Sequence, residues 1–248
     1  MREYLYGRQV VRECLRARRR HIHRLLLAER IKVSGIVAEM LTLASEIHVP
    51  VERVSKGRLD KLAPAHQGVV MEVAAYPYVA LEQVVAQARR QDEPSFCLAL
   101  DHVQDPHNLG ALLRTVECVG AHGVIIPDRR AVGITPAVVS ASAGASEHVL
   151  VCQVTNLVQT LTELKKGGLW AVGLDNTEGS EPYADAALDM PLVLVVGAEG
   201  VGLSSLARRT CDLLIRLPMR GRVESLNASV AGAVALYAVL RGRAYCDR

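Results

Sequence analysis

Residues 192–206 read LVLVVGAEGVGLSSL: five apolar residues, then glycines at 197, 200 and 202, then a Leu-Ser-Ser-Leu turn into helical spacing. A run that is apolar at every position, rather than at alternate ones, suits a strand covered on both faces, and the glycines mark its end. Five further runs share this form: FCLAL (96–100), GVIIP (123–127), HVLVCQV (148–154), LWAVGL (169–174) and LLIRLP (213–218). Helical patterns starting near Asn108, Pro136, Leu157 and Gly202 separate them. Strands and helices in alternation predict an α/β domain with a parallel sheet. Ligands of such sheets sit at the carboxyl ends of the strands, so the loops there are the place to look for chemistry.

Three of those loops stand out. After FCLAL comes DHVQDPHNLGALLRT (101–115), in which Asp105 or Asn108 can cap a helix with Pro106 in its first turn. On that helix Leu109, Leu112, Val116 and Val119 share one face and Gly110, Arg114 and Glu117 the other. Arg114 is then either a solvated partner of Glu117 or a group facing something large that Gly110 admits. The second loop is GAEGVG (197–202). Its glycines allow close backbone approach, but the order is not the dinucleotide G-x-G-x-x-G, and no acid follows a further strand about 20 residues on. Glu199 is its unusual member. The third runs from LLIRLPM through Arg220-Gly221-Arg222 into SLNAS (225–229), where a helix start offers unpaired backbone groups of the kind that hold an adenine. Asn227-Ala228-Ser229 also fits the N-glycosylation pattern, but residues 1–20 lack the apolar core of a secretory signal, and a cytoplasmic protein is expected.

Net charge is +3, yet residues 1–75 hold 14 Lys/Arg against 8 Asp/Glu and the remainder 15 against 18. Arg8, Arg12, Arg18, Arg19 and Arg20 head a cationic stretch that reads as a phosphate-binding footprint or as a solvated helix face. Helical spacing is expected over 4–17 and 36–43 and a short strand at 25–27, giving a small α/β unit over 1–75. Tyr76-Pro77 and Gln91-Asp92-Glu93-Pro94 then bound a linker at 76–94, in which 81–90 can form a helix, and the sheet domain fills 95–248. The longest nearly apolar run, 228–240, is too short to span a bilayer. Six cysteines without C-x-x-C spacing are expected as reduced core thiols, with no disulfide or metal.

D-P-H-N-L-G-A-L-L-R-T, V-V-G-A-E-G with I-R-L-P-M, and S-L-N-A-S-V-A together resemble the three motifs of the SpoU family of RNA 2′-O-methyltransferases, over residues 96–248. Tyr6-Gly7 and His66-Gln67-Gly68 resemble the L30e-like RNA-binding domain of members that methylate 23S ribosomal RNA. The resemblance implies a SPOUT-type parallel sheet with a deep C-terminal trefoil knot, a homodimer, and S-adenosyl-L-methionine as methyl donor. It places Asn108, Arg114, Glu199, Ser225 and Asn227 in the active site, and Gly197, Leu217, Met219 and Leu226 at the cofactor. The implied substrate is a ribose of 23S RNA, free or in an assembling large-subunit particle, most closely the guanosine of the peptidyl-transferase P-loop. Transfer RNA or another 23S nucleotide is the alternative within the family.

Methyl transfer to a ribose needs alignment of the two reactants and a handler for the 2′-hydroxyl proton. A guanidinium stays protonated in proteins, so Arg114 is expected to grip the phosphate beside the target ribose, with Glu199 and Asn108 fixing its direction. Ser229 is left to cap the last helix. Aromatics are only 4% of the chain, which argues against recognition by stacking platforms. Two rivals remain from the residues alone: a nucleotide-dependent oxidoreductase built on GAEGVG, and a non-catalytic ribosomal RNA-binding protein.

Overall fold

The computed structural model describes residues 2–223 and 225–243. They form two compact units, one of residues 2–77 with 134–148 and the other of 78–133 with 149–223 and 225–243.

The first unit begins with β1 (Arg2–Tyr6), α1 (Arg8–Ala17), β2 (Ile22–Ala28), α2 (Ile36–Glu46), β3 (Val51–Val54), α3 (Lys56–Asp60) and β4 (Val69–Ala74). Its sheet has the order β1-β4-β2-β3, with β2 and β3 parallel and the other pairs antiparallel. Helical spacing predicted from residue 4 begins in fact at Arg8. Leu5 lies on a strand, and Gly7, at φ 88°, turns the chain into the helix. Val10, Val11, Cys14 and Leu15 bury one side of α1.

The second unit carries α4 (Leu81–Gln91), β5 (Phe96–Asp101), α5 (Pro106–Cys118), β6 (Gly123–Pro127), then, past a segment that belongs to the first unit, β7 (Val151–Val154), α7 (Leu157–Lys166), β8 (Trp170–Leu174), β9 (Glu181–Pro182), β10 (Leu192–Gly197), α8 (Ser205–Thr210), β11 (Leu213–Arg216) and α9 (Ala228–Gly242). Seven strands form one parallel sheet in the order β7-β6-β5-β10-β8-β11-β9. All six predicted strands are present in it, and β9 is an addition. Every residue of β5, β6 and β10 is buried, as their unbroken apolar runs require.

Two placements differ from the sequence reading. The intervening segment Ile134–His148, with α6 (Pro136–Ala141), clusters with the first unit although it lies between β6 and β7. The stretch expected as a linker carries the helix expected over 81–90, as α4, but this helix is packed: Val84 and Ala88 are buried, and a Cβ on Gly123 would lie 2.7 Å from Val84.

Cys14, Cys97, Cys118, Cys152 and Cys211 are free thiols, while Cys246 lies outside the described residues. Burial pushes the Cys97 and Cys211 thiols up to about 12, so neither is a nucleophile near neutral pH. No described helix is long and apolar enough to cross a membrane.

Candidate active site

Asp105 caps α5 by accepting from His107 N at 3.0 Å, with Pro106 in the first turn. This sets buried Asn108 at the carboxyl end of β5. At the end of the neighbouring β10, Gly197 meets the backbone of Gly202 and Leu203 so closely that any Cβ would overlap it. Its role is therefore to let its own loop fold back rather than to make room for a ligand. Gly200 and Gly202 adopt φ of 74° and 70°, and Ser204 N donates to buried Asp101 Oδ2 at 2.7 Å, pinning the loop to β5. The tight turn leaves Glu199 exposed beside Asn108.

The third loop completes the group. Asn227, not Ser229, is the N-cap of α9: its Oδ1 accepts from Ser229 N at 2.9 Å, Ser229 Oγ at 2.6 Å and Val230 N at 3.3 Å. Its amide nitrogen points the other way, donating to Asn108 Oδ1 at 2.9 Å and Glu199 Oε1 at 3.5 Å. Asn108 Nδ2 in turn donates to Glu199 Oε2 at 3.0 Å. Three residues from three loops, 91 and 119 positions apart from Asn108, thus form one closed hydrogen-bonded set.

Arg114 is exposed and has no hydrogen bond or ion pair among the described residues. Among the described residues the alternative i,i+3 pairing with Glu117 is absent, and so is the expected orientation by Asn108 and Glu199, which bond to each other and to Asn227. Gly110 is buried rather than on an open face.

Beside this set is a cleft of about 690 Å³, lined among others by Gly197, Glu199, Leu217, Met219, Ser225 and Leu226. The four residues expected at a cofactor all border it, together with Leu174, Val196 and Ala228. Residues 217–223 and 225–227 lie outside regular secondary structure, so their backbone polar groups face no ladder partner. Apolar walls with available backbone groups suit a purine nucleoside. A second cavity of about 510 Å³ adjoins the opposite side of the glycine loop and shares Ala198, Glu199, Val201 and Gly202 with the first.

The basic stretch of the first unit is rearranged relative to expectation. Arg20 has a fully buried side chain held between Glu147 (2.9 Å) and Glu3 (2.7 Å), so it cannot meet a phosphate. Arg12 pairs with Glu13 and Glu39, Arg18 with Glu46, and Arg19 donates to Tyr76 Oη and the Glu147 carbonyl. Arg8 donates to the Gln67 carbonyl and has no carboxylate partner among the described residues. Exposed Arg30, Lys32, Lys56 and Lys61 have no side-chain partner among the described residues. Sequence spacing gives these four no prominence; they gather only because Ala28 and Val54 are register partners, which puts the segments after β2 and β3 at one end of the sheet.

Residues 95–237 match the SpoU rRNA Methylase family, and residues 4–79 match the family described as RNA 2′-O ribose methyltransferase substrate binding. YacO of Bacillus subtilis (strain 168), provisionally named a TrmH family tRNA/rRNA methyltransferase, is 44% identical over 97% of this chain and 96% of its own. The crystal structure of the SpoU methyltransferase AviRb from Streptomyces viridochromogenes in complex with AdoMet superposes with a TM-score of 0.81 at 24% identity, covering 98% of this chain and 90% of that one. The A. aeolicus TrmH/SpoU tRNA modifying enzyme matches 64% of this chain and 84% of its own, with a TM-score of 0.56 and 28% identity. These matches set aside a dinucleotide oxidoreductase, and the chain belongs to the SpoU (TrmH) family of RNA methyltransferases.

Proposed function

We propose that this protein transfers a methyl group from S-adenosyl-L-methionine to the 2′-hydroxyl of a ribose in 23S ribosomal RNA, the P-loop guanosine modified by RlmB-type enzymes being the best candidate. The observation that carries the reading is the Asn108–Glu199–Asn227 set, built from the three family motifs, with Glu199 lining the cleft. In the cleft, Gly197, Leu217, Met219 and Leu226 would hold the donor, which supplies a methyl on a sulfonium that departs as a neutral thioether. The protein then has to orient the acceptor and manage one proton. Glu199, fixed by two amide donors, is placed to position the ribose, with Ser225 on the same wall. The unpartnered guanidinium of Arg114 would grip the adjacent phosphate and stabilise the developing alkoxide.

The two-unit chain supports ribosomal RNA over transfer RNA, since the tRNA modifying relative matches only 64% of it. We further read the molecule as a cytoplasmic homodimer with a deep trefoil knot. For the knot, β10 lies between β5 and β8 while α9 returns against α5 and β10. For the dimer, α9 exposes Val230, Val234 and Tyr237 at i, i+4 and i+7, an apolar stripe of the sort that a second copy covers.

The test is transfer of labelled methyl to unmodified ribosomal RNA and transfer RNA, followed by mapping of 2′-O-methyl positions. Modification of one 23S nucleotide is expected. Modification confined to tRNA would reassign the substrate, and none in either RNA would overturn the reading.

A further inference from the structure

The second cavity has no task in this mechanism, and it lies on the far side of the loop that carries Glu199. Its polar lining is unevenly committed. Buried Asp101 uses Oδ2 on Ser204 N and Oδ1 on His102 Nδ1, 2.6 Å away. Asp105 caps α5, and Asn108 is bound to Glu199 and Asn227. Among the described residues, Arg130 has a guanidinium with no partner, and Gln104 has a free Oε1 because its amide nitrogen donates to the Arg130 carbonyl at 3.3 Å.

Backbone conformation brings these two exposed residues to the cavity wall. Arg130 sits at φ 56°, an uncommon setting for a residue with a Cβ, just beyond the carboxyl end of β6. Val132 N donates to the Val103 carbonyl at 3.0 Å, tying this loop to the one after β5. A planar donor fork and a lone acceptor thus border the same cavity, joined through the Arg130 carbonyl, and that cavity shares with the donor cleft the wall that bears Glu199.

We propose that this cavity receives the base of the target nucleotide, and that Arg130, with Gln104, reads it as guanine. The inference rests on the methyltransferase reading, because a ribose placed at Glu199 must send its base to one side or the other, and the cleft lined by Leu217, Met219 and Leu226 is taken by the methyl donor. Guanine carries adjacent acceptors at O6 and N7, which a guanidinium engages bidentately, and it also carries N–H donors for an amide oxygen. Adenine offers one acceptor and one donor on the same edge, and so satisfies half the fork. Pyrimidines lack the O6/N7 edge, and uracil separates its two carbonyls by an N–H donor.

The experiment uses the full chain and the 23S nucleotide mapped with the wild-type protein. Methyl transfer is compared on transcripts carrying guanosine or adenosine at that position, for wild type, Arg130→Gln and Gln104→Leu. The wild type should methylate guanosine, and Arg130→Gln should lower kcat/KM on it by roughly 5- to 150-fold. The adenosine transcript should change by less than about 2-fold with the same variant, so that discrimination collapses; Gln104→Leu should act in the same direction. Equal losses on both transcripts with a shallower salt dependence would make Arg130 a phosphate contact and overturn the proposal. Unchanged discrimination in both variants, or a mapped target other than guanosine, would overturn it while leaving the methyltransferase reading intact. A wild type inactive on every RNA would remove that reading itself.

Discussion

Asn227 performs two tasks with the two ends of one amide. Its oxygen caps α9, and its nitrogen closes the set with Asn108 and Glu199. Substitution can separate them. Asn227→Ala should lose both, lowering unfolding free energy by ~0.5–2 kcal/mol and depressing turnover. Asn227→Asp keeps an acceptor for Ser229 N and Val230 N, so denaturant midpoints should stay near wild type. It replaces the donor with a second carboxylate beside Glu199, so turnover should fall as far as in the alanine variant. If both variants lose stability equally, the cap is not what Asn227 supplies. Arg114 needs a different probe because no group among the described residues holds it. Arg114→Lys retains charge without the planar fork, and kcat should drop by on the order of 10²-fold while RNA affinity is kept. Near wild-type turnover in that variant would leave Arg114 without the phosphate-clamp role.

At the scale of elements, β10 and its loop were readable because an unbroken apolar run ending in glycines has few other solutions. Strands β5 to β8 and β11 followed from the same pattern. In the first unit, by contrast, β1, β3 and β4 were missed: VERV and REYLY are short and set two charged residues side by side, so neither shows the period-2 alternation that marks a strand. The site residues were legible as motif members, but the bonds among them were not, since nothing local says that the Asn108 amide meets Glu199 across 91 residues. Helix α5 is followed by another feature the sequence concealed. His122 is buried, accepts from Phe96 N through Nδ1 at 2.9 Å, and has Glu93 Oε2 3.4 Å from Nε2. Burial outweighs Glu93 and lowers its pKa below 6.5. The folded state therefore resists a proton that the unfolded chain takes up, so stability falls as pH drops through 6.5 toward the lower folded value. His122→Asn keeps an acceptor near the Nδ1 position without a titrating ring, and it should flatten the fall in Tm between pH 6.5 and 5. An unaltered slope would assign that pH dependence to other groups.

For the whole molecule, the sign of charge was legible and its location was not. The surplus of Lys/Arg in residues 1–75 is real, but Arg12, Arg18 and Arg20 are matched by Glu13, Glu39, Glu46, Glu147 and Glu3, acids scattered through the sequence that only folding brings together. A guanidinium already satisfied by a carboxylate releases few counterions from RNA. Cations of the first unit without a carboxylate partner among the described residues include Arg30, Lys32, Lys56 and Lys61, with Arg8 and Arg53, each bonded to a backbone carbonyl. Register places Arg30, Lys32 and Lys56 at the carboxyl ends of β2 and β3, and antiparallel pairing of Tyr6 with Val70 brings Arg8 and the 65–68 loop to the same end of the sheet. That loop holds Ala65, Gln67 and Gly68 at φ of 48°, 52° and 80°, a backbone setting kept where surrounding contacts enforce it. If this end carries the RNA, each lysine or arginine removed from it should weaken binding similarly for all sequences and reduce the slope of log K against log salt by about 0.7 to 0.9. Lys56→Gln with Lys61→Gln should therefore lower the slope by roughly 1.4 to 1.8, measured by RNA titration at several salt concentrations. Arg12→Gln with Arg18→Gln removes the same charge from side chains that are already paired, and it should leave the slope within about 0.5 of wild type. The reverse result would return RNA contact to the α1 arginines and show that their glutamate partners yield to phosphate.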